Sequence, residues 1–214
     1  MSARRRPTRF RTAAARAAVT AAVLTLAACG ATGESPAPGA GRGSTPSATD
    51  GRAAHNAADV AFAQGMIPHH RQAVAMADLA PGRASDPEVT ALAAAVKKAQ
   101  APEIRTLSGW LTTWGEPVPA EDAPAGHSGH GQGHGTEMTG MMTGQEMARL
   151  EKATGPAFDT AFLTLMIKHH QGAVAMAKTE RDQGAHPPAT AMADDIIASQ
   201  SAEIARMKAL LGAG

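Results

Sequence analysis

Two stretches decide the fold: Asp59-Val60-Ala61-Phe62-Ala63-Gln64-Gly65-Met66-Ile67-Pro68-His69-His70-Arg71-Gln72-Ala73-Val74-Ala75-Met76-Ala77, and Asp159-Thr160-Ala161-Phe162-Leu163-Thr164-Leu165-Met166-Ile167-Lys168-His169-His170-Gln171-Gly172-Ala173-Val174-Ala175-Met176-Ala177. Aligned without gaps at an offset of 100 residues, they agree at 12 of 19 positions, which chance does not give even in an Ala-rich chain. At about 100° per helical residue, Asp59, Phe62, Met66, His69, His70, Ala73, Met76 and Ala77 fall within an arc of about 120°. The positions that differ between the copies (60, 63, 64, 65, 68, 71 and 72) lie on the other side. A helix that keeps one stripe and varies the rest describes a buried seam. Each stretch therefore reads as a helix with a Met, His, His, Met stripe facing inward.

Working outward, a partner helix follows each stripe at the same offset. Leu92, Val96, Gln100, Glu103, Ile104, Leu107 and Leu111 correspond to Met192, Ile196, Gln200, Glu203, Ile204, Met207 and Leu211, again on one face. The boundaries are written in caps and breakers. The first helix starts at Asn56 or Asp59 and stops at Pro81-Gly82; Ser85-Asp86-Pro87-Glu88 opens the second, which ends near Trp114-Gly115. Thr143-Gly144-Gln145-Glu146 has capping-box spacing for a short helix to Lys152. A third long helix follows Thr154-Gly155-Pro156 to Gln183-Gly184, and Pro187-Pro188 opens the last, which stops at Gly212. Four long helices in two hairpins predict an all-α, antiparallel four-helix bundle over residues 55–214. It divides into repeat 1 (55–115), a linker rich in Gly, Pro, His and Met (116–144) and repeat 2 (145–212). Pro68 and Pro102 fall inside helices, where kinks are expected. Trp110 and Trp114, one turn apart and without counterparts in repeat 2, read as packing anchors.

The stripe carries chemistry as well as packing. Met66 lies three and four residues before His69 and His70, so its thioether reaches either imidazole on the same face, and Met76 lies about two turns beyond. Ala73 leaves room between them. Met166, His169, His170 and Met176 repeat the pattern. Thioether sulfur with imidazole nitrogen, and no thiolate, suits Cu(I) and by the same softness Ag(I); zinc sites more often draw on Cys, further His or carboxylate. Gln100, Glu103, Gln200 and Glu203 share the inward face, where an unpaired polar group is costly, and Asp59 and Asp159 head the stripes. All six are possible ligands or hydrogen-bond partners of ligands. His127, His130, His134, Met138, Met141 and Met142 in the linker read as a weaker, exchangeable metal-capture segment.

The front of the chain reads as an export signal. Arg4, Arg5, Arg6, Arg9, Arg11 and Arg16 precede a short apolar run from Ala17 to Ala28, too short to span a membrane. Leu26-Ala27-Ala28-Cys29 resembles a bacterial lipobox, which makes 1–28 a lipoprotein signal peptide, Cys29 the lipidated residue and 29–54, rich in Gly, Ser and Pro, a flexible tether. Cys29 is the only cysteine, so the mature chain has no thiol for a disulfide, a thiolate metal site or nucleophilic catalysis. Removing the signal takes six of the 20 basic residues and leaves 14 against 19 acidic, a net of −5, which argues against nucleic acid as a partner. The expected partners are metal ions and, through the lipid, the outer face of the membrane.

The residues Asp59-Val60-Ala61-Phe62, Met66-Ile67-Pro68-His69-His70, Ala73-Val74-Ala75-Met76-Ala77, Glu103-Ile104, Trp110-Leu111 and Trp114-Gly115 resemble the DUF305 family. The second half continues the resemblance through Met141-Met142-Thr143, Phe158-Asp159, Phe162-Leu163, Met166-Ile167, His169-His170 and Gly172-Ala173-Val174-Ala175-Met176-Ala177, so that it spans about 55–211. The resemblance implies a ferritin-like four-helix fold and, from a copper-binding periplasmic member, a role in copper resistance or homeostasis. A lipid anchor departs from soluble periplasmic relatives. The expectation is a non-enzymatic binding protein for copper, Cu(I) rather than Cu(II), with no organic cofactor. Two other classes stay open: a ferritin-like di-iron oxidase, against which the chain offers no Glu-x-x-His, and a metal-free helical module that docks a partner. Whether the copies make two sites or share one is also open.

Overall fold

The computed structural model describes residues 55–120 and 139–213, which belong to one compact unit within Thr49–Gly214. The expected signal peptide, Cys29, the tether, and His127, His130, His134 and Met138 lie outside the described residues. Five helices are present: α1 (Ala57–Asp78), α2 (Pro87–Trp114), the short α3 (Gly144–Lys152), α4 (Gly155–Gln183) and α5 (Pro187–Ala213). Each start has a local cause. The Asn56 side chain accepts from the backbone N–H of Ala58 and Asp59 while Asp59 reaches back to the Asn56 N–H, closing a capping box. Asp86 caps α2 ahead of Pro87, and Thr143 and Glu146 form a second capping box on α3. Gly115 ends α2 at φ 77°, a left-handed turn that costs a glycine little. Both α1 and α2 continue through their internal prolines, Pro68 and Pro102.

The architecture is all-α: α1 and α2 form one hairpin, α4 and α5 the other, and α3 lies against α4. The two repeats meet along α1 and α4, which run antiparallel. Asn56 Nδ2 donates to the Gln183 carbonyl at one end (2.8 Å), Gly155 N–H donates to the Arg83 carbonyl at the other (2.7 Å), and the His69 and His169 rings meet between them. This crossing relates the repeats by an approximate two-fold axis.

The apolar interior is divided. One cluster gathers Ala73, Met76 and Ala77 of α1, Val89, Leu92 and Val96 of α2, Phe158, Phe162 and Met166 of α4, and Met207 of α5, joined by Met142 and Leu150. The other gathers Phe62, Met66 and Ile67 of α1, Leu107 and Leu111 of α2, Ala173 and Ala177 of α4, and Ala193 and Ile196 of α5. Between them, at the midpoint of all four long helices, lies a layer of buried polar side chains: His69, His70, Gln100, His169, His170 and Gln200.

Asp59 and Asp159 do something other than the metal-centred role expected of them. Asp159 accepts from the backbone N–H groups of Ser85 and Asp86, at 3.2 and 3.0 Å, and from the Ser85 hydroxyl. Asp59 accepts from the N–H groups of Ala185 and His186, at 3.1 and 2.9 Å. Each aspartate thus fastens the hairpin turn of the other repeat, about 15 Å along the helix from the histidine layer at 1.5 Å per residue. Burial works to raise the Asp59 carboxyl, but the hydrogen bonds from Glu180, His186, Asn56 and Ala185 outweigh it and hold it below the ordinary carboxylate range. Beside it Glu180 is pushed up to about 8, by burial first and then by Asp59, so it keeps its proton at neutral pH. His186, Trp110, Trp114 and His55 close this end of the bundle, with His55 stacked on Trp114 at 4.6 Å and His186 edge-on to both tryptophans, which gives the tryptophans the packing role expected.

The two aspartates therefore set bundle stability from outside the site. Asp59→Ala strips the partner from three backbone N–H groups in a fully buried position and should cost about 3 kcal/mol in a urea unfolding titration. Asp182→Ala, at an exposed position, should cost less than about 0.5 kcal/mol. Equal effects would remove the latch from the account.

Candidate metal centre

The centre is built from two consecutive histidines on each of two crossing helices. Because neighbouring helical residues differ by about 100°, one histidine of each pair faces the opposite repeat and the other turns toward its own hairpin partner. His69 and His169 face each other across the two-fold axis with ring centroids 3.7 Å apart and an interplanar angle of 40°. His70 turns to α2, where its Nε2 lies 2.7 Å from Glu103 Oε2; His170 turns to α5, where its Nε2 lies 2.6 Å from Glu203 Oε2. All four imidazoles are fully buried, and each glutamate side chain keeps 24% exposure. Of the acids read from the sequence, Glu103 and Glu203 come to the layer.

The hydrogen bonds fix which atoms are free. A neutral His70 that donates Nε2–H to Glu103 presents a bare lone pair at Nδ1, and His170 does the same with Glu203. Neither Nδ1 has a partner in the protein, nor does either nitrogen of His69 or His169. The side-chain oxygens of Gln100 and Gln200 are also unpaired. Six buried ring nitrogens on four side chains are thus left without a hydrogen-bond partner in the protein. Each orphan costs about 1–3 kcal/mol, and Leu or Phe would fill the same space without the cost. The layer makes physical sense as a set of donors waiting for an acceptor.

Electrostatics keep those lone pairs open. Burial first, and then the neighbouring His70 and His170, push His69 down to about 3. Burial and the neighbouring His69, His170 and His70 push His169 well below its ordinary value. Both rings are therefore neutral at physiological pH, the state in which imidazole binds a metal.

The methionines are shared between repeats in a way their sequence spacing hides. Met66 belongs to the same apolar cluster as Met176, whose sulfur lies over Gly65, whereas Met76 belongs with Met166. Each cluster thus draws thioethers from both repeats, with Met142, Met147 and Met207 also in that of Met76 and Met192 in that of Met66. Met66, Met76 and Met166 are fully buried, and Met176 is half-buried. Among the described residues, no group of three or more His, Cys, Asp or Glu side chains is arranged to hold a metal ion.

Sequence reasoning missed the two residues that bring the linker to this layer. Gln72 and Gly172 occupy the same repeat position, three residues after His69 and His169. The Gln72 amide donates to the Met142 carbonyl (2.9 Å) and accepts from the Met142 N–H (2.7 Å). Gly172 lies so close to Thr139 and Gly140 that an added Cβ would stand 2.0 Å from the Thr139 carbonyl oxygen. Arg71, next to Gln72, donates to the carbonyls of Pro119 and Ala120. The last described residues before the His/Met-rich stretch are therefore held by α1, and the first after it by α4 at Gly172 and then by α1 at Gln72. Met142 is buried at 3% exposure and Met141 is half-buried.

A family profile for DUF305, described as a domain of unknown function, matches residues 59–211. A DUF305 protein from Streptomyces coelicolor, described as a candidate secreted protein, is 34% identical in sequence; its structure superposes with a TM-score of 0.63, covering 72% of this chain and 92% of its own. A DUF305 fragment from Deinococcus radiodurans is 33% identical, with a TM-score of 0.63 over 74% of this chain and 98% of its own. CopM in its Cu(I)-bound form is 34% identical, with a TM-score of 0.57 over 71% of this chain and 94% of its own. CopM has also been solved in Cu(II)-bound, Ag-bound and apo forms. No curated protein gives a significant match.

The depressed His69 and His169 set a pH dependence for the metal-free protein. Unfolded histidines bind protons from about pH 6.5 downward, while folded His69 resists until about 3. Their neutral burial is therefore fully compatible with folding above pH 6.5, and stability falls as the pH drops, by up to about 1.4 kcal/mol per pH unit per histidine. Urea midpoints of the metal-free protein should decline between pH 6.5 and 5, and a His69→Gln, His169→Gln double variant should flatten that decline. The same slope in both proteins would contradict the assignment.

Proposed function

Because this chain belongs to the DUF305 family, we propose that it is an extracytoplasmic copper-binding protein that takes up Cu(I), and Ag(I) by the same chemistry, to sequester it or hand it on. The observation that carries this reading is the layer of six unpaired, buried ring nitrogens between two apolar clusters that each hold methionines from both repeats. Neutral imidazoles and thioethers are soft, uncharged donors, so they accept a monovalent soft cation without the penalty of stripping water from a buried carboxylate. His69 and His169 are the primary nitrogen ligands; His70 and His170 present Nδ1, with Glu103 and Glu203 fixing their tautomers. The relation to CopM, which has been solved with Cu(I), Cu(II) and Ag, supports the same choice of ion. The rings of His69 and His169 meet at the two-fold axis, which favours one histidine layer shared by the repeats. Iron chemistry of the ferritin-like kind has little to build on, since Glu103 and Glu203 are the only acids that reach the layer among the described residues.

Export and anchoring belong to the same reading. The arginine-rich start, the apolar run to Ala28 and the lipobox-like Leu26-Ala27-Ala28-Cys29 support lipidation at Cys29 and residence at the outer face of the membrane, where the protein meets metal ions arriving from outside. Among the described residues no helix is long and apolar enough to cross a membrane. The net of −5 left after signal removal argues against nucleic acid as a partner.

Competition against a Cu(I)-specific chelator tests the proposal. Replacing His69, His70, His169 and His170 together by Ala should lower Cu(I) affinity by at least about a hundredfold, since loss of even an outer partner of a ligand typically costs about 10–100-fold. Unchanged affinity and stoichiometry in that variant would sink the reading. Zn(II) should compete poorly with Cu(I) in the wild type.

A further inference from the structure

The repeats are nearly symmetric at the histidine layer, yet the molecule breaks that symmetry at one repeat position, residues 72 and 172. In repeat 1 the residue is Gln72, whose amide grips both backbone polar groups of Met142. In repeat 2 it is Gly172, where the missing side chain is filled by the backbone of Thr139 and Gly140. Gly140 itself sits at φ 87°, and an added Cβ there would stand 2.8 Å from the Gly172 Cα and 2.9 Å from the Lys168 carbonyl oxygen, so this turn favours glycine. Residues 139–142 thus pass from α4 to α1 at the level of the His69–His169 pair, and the crossing is fixed at both ends by contacts specific to each helix.

The consequence falls on one side chain. Met142 is delivered, 3% exposed, into the cluster that already holds Met76 and Met166. Met207 is buried in the same cluster, whereas the opposite cluster buries Met66 alone, with the partly buried Met176 and Met192 packed against it. A leucine would serve packing there equally well, and the grip on the Met142 backbone fixes where the side chain goes whatever it is. Resting on the copper reading above, we infer that Met142 is a ligand of the bundle centre and not of the linker. Gln72 and Gly172 are the positioning pair that brings it there. The side that holds Met76, Met142 and Met166 then takes the first soft ion. The Met66, Met176 side follows at higher metal concentration. The two halves of a duplicated fold thereby become a tight position and a weaker one.

The experiment uses the full-length protein with 13C-methyl-labelled methionine, titrated with Ag(I) as a diamagnetic, redox-inert probe, and follows the methionine methyl and histidine ring resonances by NMR. With the first equivalent, the Met142 methyl should move together with the rings of His69 and His169, and Met66 and Met176 should respond later. Met142→Leu keeps the apolar volume and should lower first-site affinity about tenfold with little change in unfolding midpoint. Gly172→Ala, which drives the 139–140 backbone off α4, should silence the early Met142 shift while the His69 and His169 rings still respond. Gln72→Ala is the milder version of the same test. If the histidine rings respond to the first equivalent and Met142 does not, this inference falls and the copper reading stands. If the rings themselves do not respond, both fall.

Discussion

The structure turns on the contact between His69 and His169, two neutral imidazoles packed against each other at the centre of a helical bundle with every ring nitrogen unpaired. A buried donor or acceptor without a partner opposes folding, so such a layer persists only where the rest of the fold overrides it. Here the override comes from an apolar cluster on each side and from latches at both ends. Asp59 and Asp159 fasten hairpin turns that belong to the opposite repeat, which ties the crossing of α1 and α4 to the loops far from it. The bundle holds the histidines in place, and the histidines remain free to bind.

Duplication explains why the centre lies where it does. A single hairpin could present a Met, His, His, Met stripe, but a lone stripe has nothing opposite it. Two copies crossing antiparallel bring first histidine to first histidine and leave the second of each pair to its own hairpin's glutamate, at 2.7 and 2.6 Å. The same crossing interleaves the methionines, so that each side of the layer draws sulfur from both halves. The linker between the copies is then the one part of the domain that symmetry does not dictate, and its ends are fastened beside the layer by Arg71, Gln72 and Gly172.

Much of this was legible in the sequence because helical phasing and internal repetition carry the same information. The all-α bundle, its helix ends, the inward stripe and the pairing of histidines with Glu103 and Glu203 all follow from residues that recur at an offset of 100. What the repeat could not show were features that depend on the copies being different or on contacts between them. Gln72 and Gly172 differ between copies, and so read as outward and unimportant, although that difference is what seats Met142. Asp59 and Asp159 recur at the head of each stripe and so read as part of the site, although their partners lie 126 and 74 residues away in the other repeat's turn. Glu180 and His186 have Ala80 and Asp86 as counterparts, so no repeat signal marked the cluster they form with Asp59.

The central claim is that the buried histidine layer is a soft-metal centre shared by both halves. X-ray absorption at the copper edge, on protein loaded with one equivalent of Cu(I), tests it most directly. The account predicts a mixed shell of imidazole nitrogen and thioether sulfur, with the imidazole scattering lost in the His69→Ala, His169→Ala variant. A first shell of oxygen and nitrogen without sulfur, or a spectrum unchanged by removing those two rings, would contradict it.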